Sequence, residues 1–270
     1  MATFVRPPAV AGRFYPGEPD ILRAEVDSYL YGPGKRTSVL GCIIPHAGYM
    51  YSGHVAGAVY SEINLPSRCI LMCPNHTGRG EALSITSDGE WKTPLGNMHI
   101  DSDLANALKQ KFSFLTEDIE AHRTEHAIEV QLPFLQARNP NLSFVPIALG
   151  TVQFEILEAL GIAIAEVLSQ TADPVLVIAS SDMNHYENDS ITRVKDGKAI
   201  DQILDLNSRG LFDVVIKERI SMCGFGPSVA MLTATKKLGA RHARLLKYAT
   251  SGDVSGDRNM VVGYAGVIIS

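Results

Sequence analysis

The sequence has 270 residues, which one domain can hold, and 46% of them are hydrophobic, enough for a sizeable core. The net charge of −5 and the pI of about 5.9 lack the basic footprint of nucleic-acid-binding proteins. No apolar run of about 18 residues could span a membrane, and the first residues lack the apolar core of a signal peptide, which predicts a cytoplasmic protein. Four cysteines at irregular spacing do not form a disulfide framework, and Cys42 and Cys69 lie in apolar runs typical of buried thiols.

Apolar periodicity predicts helices that alternate with strands along the chain. In chain order, the predicted elements are a helix over 19–31, a strand over 39–44, a helix over 52–62, a strand over 68–73, a hairpin over 82–100, helices over 102–111 and 125–136, a strand over 142–149, a helix over 154–169, a strand over 175–180, helices over 195–206 and 226–238, and strands over 245–249 and 261–269. This order predicts one α/β domain over residues 1–270, with a mostly parallel central sheet covered by helices on both faces. The hairpin predicts that the sheet is mixed.

Two histidines follow predicted core strands in tight turns. His46 comes after Ile43-Ile44-Pro45 and before Gly48, which permits tight backbone geometry, and His76 ends Cys73-Pro74-Asn75-His76. Ligands collect at the carboxyl ends of strands in open α/β sheets, and adjacent strands lie about 4.8 Å apart. Both imidazoles can therefore meet at one metal ion. A surface histidine with satisfied hydrogen bonds is the alternative for either residue alone.

A third polar segment, Ser-Ser-Asp-Met-Asn-His over 180–185, follows another strong strand. Asp182 and His185 suit a pair in which the carboxylate holds the imidazole by its second nitrogen and fixes its orientation. His185 is alternatively a general acid or base, because imidazole titrates near neutral pH. Ser-Ser-Asp is also ordinary turn chemistry, so a purely structural Asp182 remains open.

Two further groups lie at predicted helix starts. Cys223 precedes a helix, and a thiol at a helix amino terminus has a lowered pKa and becomes a better nucleophile or soft metal ligand. A buried, inert thiol is the alternative. His126 and Glu129 are three apart on a predicted helix and share a face, so His126 can point an acid/base group into the cleft. The pattern is not the His-Glu-x-x-His of zinc proteases, and a solvated helix start is the alternative.

Aromatic residues near these turns are candidate walls of the cleft. Phe14, Tyr49 and Tyr51 are the candidates for contact with a substrate. Plain core packing is the alternative for each of them.

Six segments together resemble the Memo family, whose microbial members are also called AmmeMemoRadiSam system protein B. They are Arg6-Pro-Pro-Ala-Val-Ala-Gly-Arg-Phe-Tyr-Pro16, Pro45-His-Ala-Gly-Tyr-Met-Tyr51, Pro74-Asn-His76, Glu125-His-Ala-Ile-Glu-Val-Gln-Leu-Pro133, Ser180-Ser-Asp-Met-Asn-His185 and Cys223-Gly224. These motifs run in the expected order and cover most of the chain. The resemblance implies a fold similar to that of class III extradiol ring-cleaving dioxygenases, which are non-heme iron enzymes.

The resemblance also implies a metal site in a pocket. The implied residues are His46, His76 and Cys223 as ligands, Asp182 and His185 in the same pocket, and Phe14, Tyr51 and His185 in its walls. A thiolate where the dioxygenases have a carboxylate favours copper or zinc over simple iron(II) chemistry. Together with the iron and copper chemistry of similar proteins, the resemblance implies a divalent or redox metal ion, with iron or copper ahead of zinc. An animal member of the family resembles a signalling adaptor that binds phosphotyrosine peptides and has been linked to copper and iron redox chemistry.

Two hypotheses follow for the function. The leading one is a metal-binding, non-heme-dioxygenase-like redox protein of unknown small-molecule substrate, in which His185 acts as acid/base, Asp182 orients it and His126 completes the pocket. The alternative is a non-catalytic adaptor that holds an anionic or phosphotyrosine-like peptide in the same cleft. The family name associates the chain with a radical-enzyme partner, and we expect neither nucleic acid nor membrane as a partner.

Overall fold

A mixed β-sheet forms the centre of the molecule in a computed structural model that describes residues 4–31 and 36–270. The strands are β1 (Val5–Arg6), β2 (Gly41–Ile44), β3 (Arg68–Pro74), β4 (Leu83–Ile85), β5 (Glu90–Thr93), β6 (Gly96–His99), β7 (Thr116–Glu117), β8 (Ser143–Leu149), β9 (Val175–Ser180), β10 (His185–Glu187), β11 (Ala243–Thr250) and β12 (Val261–Ile269). The helices are α1 (Pro19–Tyr29), α2 (Tyr49–Glu62), α3 (Ser102–Lys111), α4 (Glu120–Arg123), α5 (Leu132–Arg138), α6 (Phe154–Leu168), α7 (Asp189–Leu204), α8 (Ser208–Glu218), α9 (Phe225–Lys237) and α10 (Gly252–Ser255).

The central sheet is parallel in its middle, with antiparallel pairs on both sides of the central strands and a parallel pair, β4 with β7, at one edge. The strand order is β10-β12-β2-β9-β3-β8-β4-β7, and β11 also pairs with β12. The four central strands β2, β9, β3 and β8 are parallel. On one side β12 runs antiparallel to β2, and on the other side β4 runs antiparallel to β8. The predicted α/β fold with a mixed sheet is therefore confirmed.

Helices bury both faces of the sheet, as the alternation of side chains in β3 shows. Ile70 and Met72 pack with apolar side chains of α3, α6, α8 and α9. Cys69, Leu71 and Cys73 point to the other face and pack with α1, α2 and α5. This period of two is what a strand buried on both faces requires. Among the described helices, none has the length and apolarity needed to cross a lipid bilayer.

The predicted hairpin over 82–100 forms, but it does not make the central sheet mixed. β5 and β6 pair antiparallel, and β1 pairs parallel with β5, so the hairpin belongs to a separate three-stranded sheet. Of the three strands in this predicted hairpin, β4 alone joins the central sheet. The central sheet is mixed because β4, β10, β11 and β12 form antiparallel pairs in it.

The predicted helix over 125–136 is wrong in its first half. The chain has no regular structure at His126 and passes through a short 3-10 helix before α5 begins at Leu132. The buried Glu129 carboxylate fixes this path, because it accepts hydrogen bonds from Arg6 Nη1 and from the Tyr15 hydroxyl, both at 2.7 Å. His126 and Glu129 therefore do not share a helix face.

Candidate metal centre

A cavity of about 610 Å³ opens at the carboxyl ends of the parallel strands. His46 follows β2, His76 follows β3, and His185 lies in the segment after β9. These three imidazoles line the cavity together with His126 and Cys223. The strand-end turns converge as the rule for open α/β sheets requires.

His46, His76 and Cys223 form a close group at this cavity. Their ligand atoms all lie within 4.8 Å of one another, and His46 Nε2 is 3.2 Å from Cys223 Sγ. The ring centres of His46 and His76 are 5.1 Å apart. His126 stacks on His76 at 4.9 Å between ring centres and forms a second group with His76 and Glu125. The structure thus brings the three expected ligands together from three distant segments.

A hydrogen-bond chain fixes the orientation of the His46 ring. Ser180 Oγ donates to the Ala127 carbonyl at 2.6 Å and accepts from Gln131 Nε2 at 3.0 Å. Its one proton is therefore in use, so His46 Nδ1–H donates to Ser180 Oγ at 3.0 Å. The lone pair of His46 Nε2 is left facing Cys223. This is the tautomer that a metal ligand needs.

The buried Glu125 carboxylate holds His76. Oε2 accepts from the backbone N–H of His76 at 2.7 Å, and Oε1 accepts from His76 Nδ1–H at 2.9 Å. Oε1 also accepts from the backbone N–H groups of His126 and Ala127. Burial opposes ionisation of both partners, but their mutual hydrogen bond and attraction prevail: the pKa of His76 is raised and the pKa of Glu125 is lowered. His76 Nε2 remains free to face the cavity.

The predicted pairing of Asp182 with His185 is wrong. Asp182 Oδ1 instead accepts from the backbone N–H of His46 at 2.7 Å. The carbonyl of Ser221 accepts from His185 Nδ1–H at 2.8 Å, and Ser221 Oγ accepts from the His185 backbone N–H at 2.7 Å. Asp182 still lines the cavity, where burial raises its pKa to about 7. It therefore orients the His46 turn, and Ser221 orients His185.

The prediction of a lowered pKa for Cys223 is also wrong. Burial raises the pKa of this thiol, and the nearby Asp182 carboxyl raises it further. α9 begins two residues later, at Phe225, and the hydrogen bonds from the neighbouring backbone do not outweigh desolvation. A free Cys223 is consequently a thiol at neutral pH, and a bound cation is needed to make it a thiolate.

The aromatic candidates divide between the cavity and the core. Phe14 lines the cavity and packs on His126 at 4.8 Å between ring centres. Tyr49 does not reach it, because its buried hydroxyl donates to the Val130 carbonyl at 2.7 Å. Tyr51 packs in a small apolar cluster with Tyr264 and is also absent from the cavity wall. The aromatic walls are thus Phe14, Tyr186 and Tyr264, and of the three predicted substrate contacts only Phe14 lines the cavity.

Several functional residues were not predicted as site residues from the sequence. Ser180 and Glu125 orient the expected ligands His46 and His76, Ser221 orients His185, and Tyr186 and Tyr264 line the cavity. Glu125 and Ser180 lie within the family motifs, close to the predicted site residues His126 and Asp182. Their side-chain oxygens, which can accept hydrogen bonds from an imidazole, were the feature that could have identified them. No pattern in the sequence singles out Ser221 or Tyr264.

Comparison with known proteins gives a consistent family match. The family model described as "Memo-like protein" matches residues 6–268. A MEMO1 family protein of Methanosarcina barkeri is 45% identical over 267 residues, which are 98% of this chain and 100% of that protein. One of Methanopyrus kandleri is 42% identical over 277 residues, covering 97% of this chain and 98% of that protein.

A solved structure shows a similar fold at low sequence identity. An uncharacterized protein of Escherichia coli K12 is 12% identical, with a TM-score of 0.50. The match covers 84% of this chain and 98% of that one. At this identity the likeness concerns the fold alone.

Proposed function

This chain belongs to the Memo family, and we propose that it is a metal-dependent redox protein acting on a small organic substrate. His46, His76 and Cys223 hold the ion, and the adjoining cavity holds the substrate. One observation carries the proposal. The Nδ1–H groups of both histidines are committed to Ser180 and Glu125, so both Nε2 lone pairs are available beside one sulfur.

The donor set fits a redox-active ion. Two imidazole nitrogens and one sulfur suit copper or zinc, and they depart from the 2-His-1-carboxylate set of non-heme iron(II) enzymes. The Asp182 carboxylate lines the same cavity and is held by the His46 backbone N–H, and the Glu125 carboxylate is held by His76. Among redox-active metals, the donor atoms therefore favour copper over iron. When bound, such an ion would supply one-electron chemistry or polarise a substrate oxygen.

The protonation states favour a metal ligand set over a cysteine nucleophile. Burial and the neighbouring histidines lower the pKa of His46, and burial raises the pKa of Cys223. The pair is neutral at physiological pH, so it lacks the thiolate–imidazolium state of a nucleophilic dyad. A neutral imidazole is the form that binds a cation, and the thiol proton leaves when the cation arrives.

His185 is the group best placed to move a proton. Its Nδ1–H is held by the Ser221 carbonyl, so Nε2 can accept a proton from a substrate hydroxyl in the cavity. Burial lowers its pKa, so the imidazole is neutral at pH 7, which is the form that can accept a proton. His126 completes the same wall through its stack on His76.

The cavity gives less support to the adaptor hypothesis. Among the described residues that line it, none is Lys or Arg. The one histidine of the cavity wall with a raised pKa, His76, is paired with the Glu125 carboxylate. A phosphate or carboxylate group would enter without the basic partners that anion recognition uses. A radical-enzyme partner stays a prediction from the family association.

Elemental analysis tests the proposal. Protein purified without chelators or a metal-binding tag is compared with His46→Ala, Cys223→Ser and the control Cys73→Ala, whose thiol is buried in β3. We expect iron or copper near one equivalent in the wild type and the control, and loss in the other two variants. Full metal content in both His46→Ala and Cys223→Ser would overturn the ligand assignment. Metal-dependent oxygen uptake with catechol-like compounds then tests for redox catalysis.

A further inference from the structure

A second, smaller cavity of about 230 Å³ adjoins the metal centre. It lies at the carboxyl ends of β3 and β8 and at the start of α9, with Asn75, Thr151 and Val152 among its lining residues. The larger cavity instead lies at the ends of β2 and β9 and against β12, where Val262 and Tyr264 line it. The two cavities therefore occupy different parts of the same sheet edge.

His76 and Cys223 lie where the two cavities meet. Of the described residues, these two alone line both cavities. Both are expected ligands, and each is partly accessible, whereas His46 is buried and lines only the larger cavity. The ligand atoms can thus be reached from two sides.

We propose that the smaller cavity is a separate access route by which a small ligand of two or three atoms, such as dioxygen, reaches the metal centre. The inference rests on the proposed metal site. An organic substrate fills the larger cavity, and the small ligand approaches His76 and Cys223 from the side of β8. The two reactants then do not compete for one opening.

The two volumes agree with this division. Sites for organic ligands measure about 300–1,000 Å³, which includes the larger cavity and excludes the smaller. A water molecule occupies about 30 Å³ in the liquid, so the smaller cavity of about 230 Å³ has room for roughly seven water-sized molecules. Val152 stands at this cavity with 61% of its surface exposed, so a larger side chain fits there without disturbing the core.

Alkylation of Cys223 in metal-free protein tests the route without any metal. Cys42, Cys69 and Cys73 are fully buried, so iodoacetamide, a small neutral reagent, reports on Cys223. We expect Val152→Trp to slow alkylation several-fold and the matched Val262→Trp, in the larger cavity, to slow it only in part. The alkylation rates through two parallel routes add. With both routes blocked, Cys223 of the Val152→Trp/Val262→Trp double variant should therefore react as slowly as the three buried thiols. A wild-type rate in Val152→Trp, and in Thr151→Phe as a second blocking variant, would overturn the proposal.

Azide binding to metal-loaded holoprotein gives a second readout. A block on the route raises the barrier in both directions, so Val152→Trp should slow association and dissociation by the same factor and leave Kd unchanged. Unchanged azide rates in Val152→Trp would refute the route while the proposed metal function stands. A wild-type protein that takes up no metal would refute the proposed function, and the alkylation rates would still decide whether the second opening exists.

Discussion

Replacing Glu125 by Gln should weaken metal binding through His76, although Glu125 is not a ligand. The carboxylate is fully buried and accepts four hydrogen bonds, two of them from His76. An amide nitrogen in place of one oxygen would face a donor, and the charge that raises the pKa of His76 would disappear. The His76 ring would lose the orientation that directs Nε2 into the cavity.

The size of the expected loss in metal affinity can be taken from other proteins in which a carboxylate accepts a hydrogen bond from a metal-binding histidine. Removing such a partner lowers metal affinity about 10–100-fold, which corresponds to roughly 1.4–2.8 kcal/mol. Leaving buried donors without an acceptor should also lower the free energy of unfolding by about 1–3 kcal/mol. The first effect is measured by titration against a chelator, and the second by urea denaturation of metal-free protein.

Glu129→Gln is the matched control. Glu129 is equally buried and charged, but its partners are Arg6 and Tyr15 rather than a ligand. We expect it to lose stability and to keep wild-type metal affinity. Equal loss of metal affinity in both variants, or wild-type metal affinity in Glu125→Gln, would refute the reasoning that Glu125 acts by orienting the His76 ring.

Three further predictions concern stability. Burial, with Arg6 nearby, lowers the pKa of His122 to about 4, so between pH 6.5 and 4 only the unfolded chain binds this proton. The free energy of unfolding should therefore fall by ~1.4 kcal/mol for each unit that the pH is lowered in this range. His122→Phe should remove this part of the pH dependence in urea denaturation. A Cβ at position 57 would overlap the carbonyl oxygen of Tyr29, so Gly57→Ala should lower the free energy of unfolding by about 1–3 kcal/mol in the same assay. Asn184→Ala should lower it by about 1–3 kcal/mol, because Asn184 Oδ1 accepts from the backbone N–H and hydroxyl of Ser221, yet leave metal affinity unchanged in a chelator titration.

Each of these has a contrary outcome. An unchanged acid slope in His122→Phe would show that this histidine is not neutral and buried in the folded protein. Wild-type stability in Gly57→Ala would contradict the close contact of α1 with α2. Metal loss in Asn184→Ala would mean that His185, held through Ser221, is itself a ligand.

The sequence allowed much of the fold to be predicted, because the central strands have strong patterns. The predicted bounds of β9 and β12 match the structure, since both are apolar runs between polar turns. α8 was missed, because Leu211 and Val215 are its only buried apolar residues. The hairpin was assigned to the wrong sheet, because period-two alternation marks a strand and does not identify its partner.

The candidate site, like the fold, could be predicted only in part from the sequence. Strand ends and turn residues pointed to His46 and His76, because local sequence controls where a strand stops. The partners that orient the imidazoles could not be found locally. Glu125 lies 49 residues from His76, and Ser221 lies 36 residues from His185. Those contacts depend on the tertiary arrangement of loops, which short-range patterns do not contain.

The place of β12 has a consequence for protein synthesis. β2, which leads into His46, is made early, but it pairs on one side with β12 at residues 261–269. Val262 and Tyr264 of β12 also form part of the cavity wall. A nascent chain on the ribosome therefore exposes an unpaired edge of β2 and an open cavity until β12 has emerged. We therefore expect the proposed metal ion to bind only after β12 has emerged and closed the cavity wall.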